Sequence, residues 1–178
     1  MKKILFSCLI VVVLLSVMGC NKSNYNHLLI EPQYNQAQYR AEIGNLFYET
    51  DEKIGITTPF GYFIYNLNAD KLITTFAIDE KKAFGEEFLV DARLSKDEKY
   101  IILLGYSHME VVDDYHYKYE LKTGNLLRVN QKVDNNELYP LPDQGRKTFE
   151  TSDWTAQDLA YYPPNSTIPY YPFRNINE

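Results

Sequence analysis

Four side chains able to hold a metal or move a proton fall within nine residues: His108, Asp113, Asp114 and His116. Imidazole and carboxylate together suit zinc or a related ion that activates water. Their spacing matches no established metal site, and strand alternation turns His116 away from the stripe of Tyr115, Tyr117 and Tyr119. A solvated acidic loop is the better account, and no metal site is assigned. Gly105-Tyr106-Ser107-His108-Met109 opens like a nucleophile elbow but lacks the second glycine, and no histidine follows His116 to complete the usual order. Glu86-Glu87 and Asp113-Asp114 are neighbours whose carboxylates project to opposite faces of an extended chain, a poor geometry for acid–base work. No catalytic residue and no cofactor is therefore expected. The alternative is a metal-assisted hydrolase using His108 and His116.

Cysteine chemistry is confined to Cys8 and Cys20. Cys8 lies in an apolar run from Ile4 to Met18 that follows Lys2 and Lys3, the charge and length of a secretory signal peptide. The run is shorter than the ~20 residues that span a bilayer as a stable helix. Val17-Met18-Gly19-Cys20 resembles the lipobox of bacterial lipoproteins, with an aliphatic residue at −3, a small residue at −1 and then the cysteine. Met18 departs from the Ala or Ser usual at −2. The resemblance implies removal of residues 1–19, acylation of Cys20 and a membrane-anchored place in the cell envelope. Each buried methylene contributes roughly 0.8 kcal/mol, so two or three acyl chains hold durably where one does not. Asn21, in place of Asp, implies the outer membrane where a cell has two. Cys20 is then the sole cysteine of the mature chain, which rules out an internal disulfide.

The elements that must position any site are strands. Phe88, Val90, Ala92 and Leu94 alternate with Glu87, Leu89, Asp91 and Arg93, the pattern of a half-buried strand. Tyr100 to Leu104 is a continuous apolar run, as in a strand covered on both faces. Tyr115, Tyr117, Tyr119 and Leu121 alternate again with polar residues. Turn-like groups at 51–53, 68–70, 95–99 and 122–125 separate the runs and predict an antiparallel meander of hairpins. Asp51-Glu52-Lys53-Ile54 matches Asp97-Glu98-Lys99-Tyr100, and Phe63, Tyr65, Leu67 and Leu72 match Tyr117, Tyr119, Leu121 and Leu126. Two units of four strands each follow. Short helices are expected on the flanks, at Ile30 to Ile43 and at Trp154 to Tyr161 before Pro163-Pro164.

LSKDEKYIILLGYS followed by YHYKYELKTGNLLRV resembles one propeller blade of the prolyl oligopeptidase-type serine peptidases, dipeptidyl peptidases in particular. Ser95, Asp97, Tyr119, Leu121, Thr123 and Gly124 fit that pattern. Lys96 and Glu98 stand where it has Pro and Gly, and Glu120 where it has Asp. The resemblance implies a blade-like shape and no activity, because the peptidase catalytic domain has no counterpart here. Two units cannot close a propeller of at least four blades. Two small sheets packed on each other, with flanking segments over their edges, are expected instead.

The expected divisions are a signal peptide at 1–19, lipidated cysteine and tether at 20–30, a blade-like β domain at 31–139, and a Tyr/Pro-rich segment at 140–178 packed on that domain. Removing residues 1–19 takes away Lys2 and Lys3 and no acidic residue, leaving 16 basic against 24 acidic side chains. That balance disfavours nucleic acid as a partner, since a phosphate backbone is met with clustered cations. All 16 tyrosines lie in the mature chain. Tyrosine favours strands and is also enriched where surfaces bind. A protein-binding face is expected at Tyr106, His108, Asp113, Asp114, Tyr115 and Tyr117, with sheet edges and the Tyr/Pro segment contributing. The expected role is thus a lipid-anchored, non-enzymatic protein binder, an immunity or inhibitor protein being one form; a structural or assembly lipoprotein is a further alternative.

Overall fold

Runs rich in β-branched and aromatic residues, each closed by a polar turn, form the strands. A computed structural model of the chain describes residues 24–32, 44–85, 88–107, 116–129, 133–143, 149–150 and 158–174. Strand β1 (Leu29–Ile30) leads to one meander, β2 (Asn45–Glu49), β3 (Lys53–Thr58), β4 (Gly61–Asn66) and β5 (Lys71–Ile78). A second follows: β6 (Phe88–Leu94), β7 (Tyr100–Ser107), β8 (His116–Glu120) and β9 (Leu126–Val129). Sheet 1 has the order β1-β5-β4-β3-β2 and sheet 2 the order β6-β7-β8-β9, with antiparallel pairing throughout. A ribbon of β10 (Phe149–Glu150) and β11 (Ala160–Tyr161) completes the described strands.

The predicted mainly β fold forms as sheets of five and four strands, the first a four-stranded meander with β1 added, and the matched tyrosines fall in equivalent hairpins. One match is out of step. Ile54 pairs with Tyr65, whereas Tyr119, the counterpart of Tyr65, pairs with Ile101 and not with Tyr100. A slip of one residue reverses the face of every side chain, so the counterpart of Ile54 is Ile101.

Three apolar layers hold the sheets. Between them, Phe47, Tyr48, Tyr62, Ile64 and Phe76 meet Leu94, Ile101, Leu103, Tyr117 and Leu126. The Phe76 and Tyr119 rings stack across this layer at 3.8 Å between centroids. The outer face of sheet 1, with Ile54, Ile56, Phe63 and Tyr65, is covered by Leu159, Tyr161 and Phe173. On the outer face of sheet 2, Ile102 and Leu104 lie under Leu138. Beside β6, Tyr139 N donates to Leu94 O at 2.9 Å, which extends the sheet at that edge.

The stretch read as tether divides. From Asn24 onward it is built into the domain as a strap joining both sheets. Asn24 bridges Leu127 beside β9, and Tyr25 N donates to Leu126 O at 2.8 Å. Leu28 is buried, and Leu29 and Ile30 pair with Ile78 and Ala77 of β5. Ile30 is therefore a strand residue and not a helix start, and 33–43 lie outside the described residues. At the other flank, 154–157 lie outside them too, while Ala160 and Tyr161 form β11 in place of the expected helix end. Tyr161 exchanges two 2.8 Å backbone bonds with Tyr170, which an extended chain allows and a helix would not.

One short helix was not anticipated. In α1 (Glu80–Phe84) the Asp79 side chain accepts from Lys82 N at 3.1 Å, and Gly85 ends it at φ 91°. Phe84 then lies over β7, where a Cβ at Gly105 would come within 2.4 Å of its ring. Gly105→Ala should accordingly lower stability by about 1–3 kcal/mol through overpacking. Urea unfolding should show a lower midpoint at unchanged slope, and an unaltered midpoint would refute the contact.

Candidate functional site

A groove of about 730 Å³ lies between β5 and the C-terminal segment. Its floor follows from strand pairing. Leu72 pairs with Tyr65 and Thr75 with Phe63, which puts all four side chains on the outer face of sheet 1. In the β4–β5 turn Asp70 adopts φ 51°, and its carboxylate accepts a hydrogen bond from the Tyr65 hydroxyl. Burial, then Asp70, pushes the Tyr65 hydroxyl pKa well above the ordinary tyrosine value. The far wall is Pro169-Tyr170-Tyr171-Pro172. Phe173 pins it, packing edge-on against Phe60 and Phe63 at centroid separations of 5.7 and 4.9 Å.

Two cations stand at the rim. Lys71 is exposed, and the Arg174 guanidinium sits 3.5 Å from the centre of the Tyr171 ring. Asp70, the one acid in the lining among the described residues, keeps its charge while accepting from the Tyr65 hydroxyl, so the groove presents aromatic faces and two cations against one anion. It suits recognition of an acidic group carried on an apolar or extended body. Among the described residues its lining has no histidine, cysteine or serine.

Of the residues expected to bind, none that is described lines the groove. His108, Asp113, Asp114 and Tyr115 lie outside the described residues. Tyr106 is in β7, its backbone paired with Leu89. Tyr117 is only 4% exposed; its ring meets Phe84 at 5.2 Å and its hydroxyl donates to Ala83 O at 3.2 Å. It is a core residue and is withdrawn from the binding face, because its strand face is the one turned to sheet 1. His116 begins β8, half-buried on the opposite face. Gly105, Tyr106 and Ser107 are paired strand residues opposite Val90, Leu89 and Phe88, whereas a nucleophile elbow requires a sharp strand-to-helix turn. Among the described residues no three His, Cys, Asp or Glu side chains converge as metal ligands. Sequence reasoning missed Lys71 and Arg174, which carry no local signal and line one groove through the docking of Phe173.

A second group of titratable residues joins the sheets. Glu98 of the β6–β7 turn accepts from Lys53 Nζ at 2.7 Å, from the Tyr48 hydroxyl at 3.2 Å and from the Tyr139 hydroxyl at 3.4 Å. The Lys53 bond is the main reason that its carboxyl pKa lies below the ordinary 4.5. Burial, with Glu98 beside it, pushes the Tyr48 hydroxyl up to about 12. The cluster is a structural tie. With its folded pKa depressed, Glu98 contributes stability above its unfolded value that drains away as pH falls through the folded one. Tyr48, with its pKa raised, contributes stability below about pH 10 that is lost as pH rises towards 12. The Lys53–Glu98 pair is partly exposed, with side-chain exposures of 28% and 38%, so Lys53→Met should cost at most about 1 kcal/mol at neutral pH. Glu98→Gln should flatten the acid limb of a stability–pH profile and Tyr48→Phe the alkaline limb. Profiles parallel to that of the unaltered protein would rule out the tie.

No protein-family model, curated protein or solved structure matches this chain.

Proposed function

We propose that this chain is a lipoprotein of the cell envelope that binds another protein at a membrane surface and catalyses no reaction. The observation that carries this reading is Val17-Met18-Gly19-Cys20 at the end of a charged and then apolar leader. Among the described residues no helix is long and apolar enough to cross a membrane. In a cell with two membranes, Asn21 favours the outer one. Neutralising a toxin that reaches the envelope is one form such binding takes.

The groove supports the binding half of the proposal. β1 pairs only with Ala77 and Ile78, so Lys71 to Thr75 have no strand partner on the outer side of β5 among the described residues. An extended segment added there would form main-chain bonds to β5 and send alternate side chains into the groove. Lys71 and Arg174 select an acidic segment by charge.

Two measurements test these halves separately. Tagged palmitate should label the full-length protein and leave Cys20→Ser unlabelled with its leader retained; label on Cys20→Ser would end the lipid reading. Immobilised residues 21–178 should capture one protein in near-equal amount from envelope or secreted fractions. Capture should fall about tenfold or more in the Lys71→Glu, Arg174→Glu double variant while its circular dichroism is unchanged. Undiminished capture would remove the groove from the proposal.

A further inference from the structure

The N-terminal strap limits which side of the fold can face a membrane. Asn24 bridges Leu127, and the side-chain amides of Asn24 and Asn26 donate to Asn125 Oδ1 at 3.4 and 3.1 Å. Asn26 Oδ1 in turn accepts from Leu126 N at 2.7 Å. Residue 24 is thus tied to β9 and to the β8–β9 turn. Only residues 21–23 separate it from Cys20. Four Cα-to-Cα steps reach at most about 14 Å, however the chain runs. Across sheet 2, β6 lies four strand spacings from Asn24, about 19 Å, and β2 packs beside β6.

The reach is shorter than that width. A domain standing on its β2 and β6 edges would lift Asn24 farther from the bilayer than the chain allows. Nor would a mature chain with 16 basic and 24 acidic residues gain by lying flat on anionic lipid. We infer that the mature protein, lipidated at Cys20, holds its β9 edge and β8–β9 turn against the lipid headgroups and turns its β2 and β6 edges to water. This inference rests on the lipidation proposed above. That side is polar: Asn24, Asn26, Asn125, Lys122 and Thr123 are its side chains, and the Lys122 ammonium is exposed. The nearby Glu120 carboxylate accepts from Thr123 at 2.6 Å.

The absence of other cysteines makes the test direct. Once Cys8 is removed with the leader and Cys20 is acylated, a single introduced cysteine is the only free thiol. Lys122→Cys in the β8–β9 turn and Asp51→Cys in the β2–β3 turn are both exposed sites for a fluorophore. Each full-length protein, processed in a bacterium, is placed in phosphatidylethanolamine/phosphatidylglycerol vesicles carrying a nitroxide on the headgroup. Quenching should be several-fold stronger at 122 than at 51. A Gly/Ser spacer of about 20 residues inserted after Ser23 reaches beyond the width of the domain and should abolish the difference. Equal quenching without the spacer, or stronger quenching at 51, overturns the orientation. The anchor is read independently, by acyl mass on Cys20 and flotation with the vesicles. Acylated, floating protein with even quenching refutes the orientation alone, whereas protein without acyl mass refutes the lipid reading and the orientation with it.

Discussion

Both sheets are apolar on both faces, and the rest of the architecture answers to that. In β4 five of six residues are buried, and Ile101 to Leu104 of β7 are buried in succession. A strand of this kind cannot leave one side in water. Four faces therefore need cover, and packing the sheets together supplies only two. The other two are met by the chain's own flanks, Leu159, Tyr161 and Phe173 on sheet 1 and Leu138 on sheet 2. Equivalent side chains explain the arrangement. Tyr65 faces away from sheet 2, while its counterpart Tyr119 faces sheet 1, so the units stack head to tail. Such a stack is open at both ends. Here those ends are closed by capping segments, where a propeller would place another blade.

Glu98 shows how a generic turn became specific to this pair of units. The Ser95 hydroxyl accepts from the amides of Lys99 and Tyr100 and donates to Asp97, which shapes the loop. The next residue sits at φ 53°, where that pattern has glycine. A side chain in the left-handed region costs roughly 1–2 kcal/mol. In return its carboxylate reaches donors on β2, on β3 and on the segment after β9, so one residue fixes the lateral position of three elements.

Much of this was legible in the sequence because strands and turns announce themselves locally. The alternation at Val90, Ala92 and Leu94, the unbroken run at 100–104 and the Asn, Asp and Gly turns place most of the eight meander strands. What was not legible depended on distant partners. Alternation shows that Tyr117 shares a face with Tyr119 but not that another sheet lies against it. The polar look of Asn24 and Asn26 concealed amides that bond to a turn a hundred residues away. The candidate groove was invisible for the same reason, since Lys71 and Arg174 are brought together only by tertiary packing. The five residues of α1 were too few for a helical period to stand out, although Asp79 and Gly85 mark its two ends.

The same strap sets an order of events in time. Its hydrogen bonds to Asn125 and Leu126 close loops of 99 and 100 residues, and the Tyr161 hydroxyl bonds to Glu49 across 112. Contacts this far apart along the chain form late, because the entropy of closing the intervening loop must first be met. A polypeptide that emerges from a ribosome or a translocation channel amino end first therefore presents the strap long before the strands it joins. Sheet 1 can assemble its hairpins early, yet its outer face stays bare until Phe173 arrives. Cover for that face is thereby deferred until Phe173 reaches Phe60 and Phe63, long after the hairpins beneath it can pair.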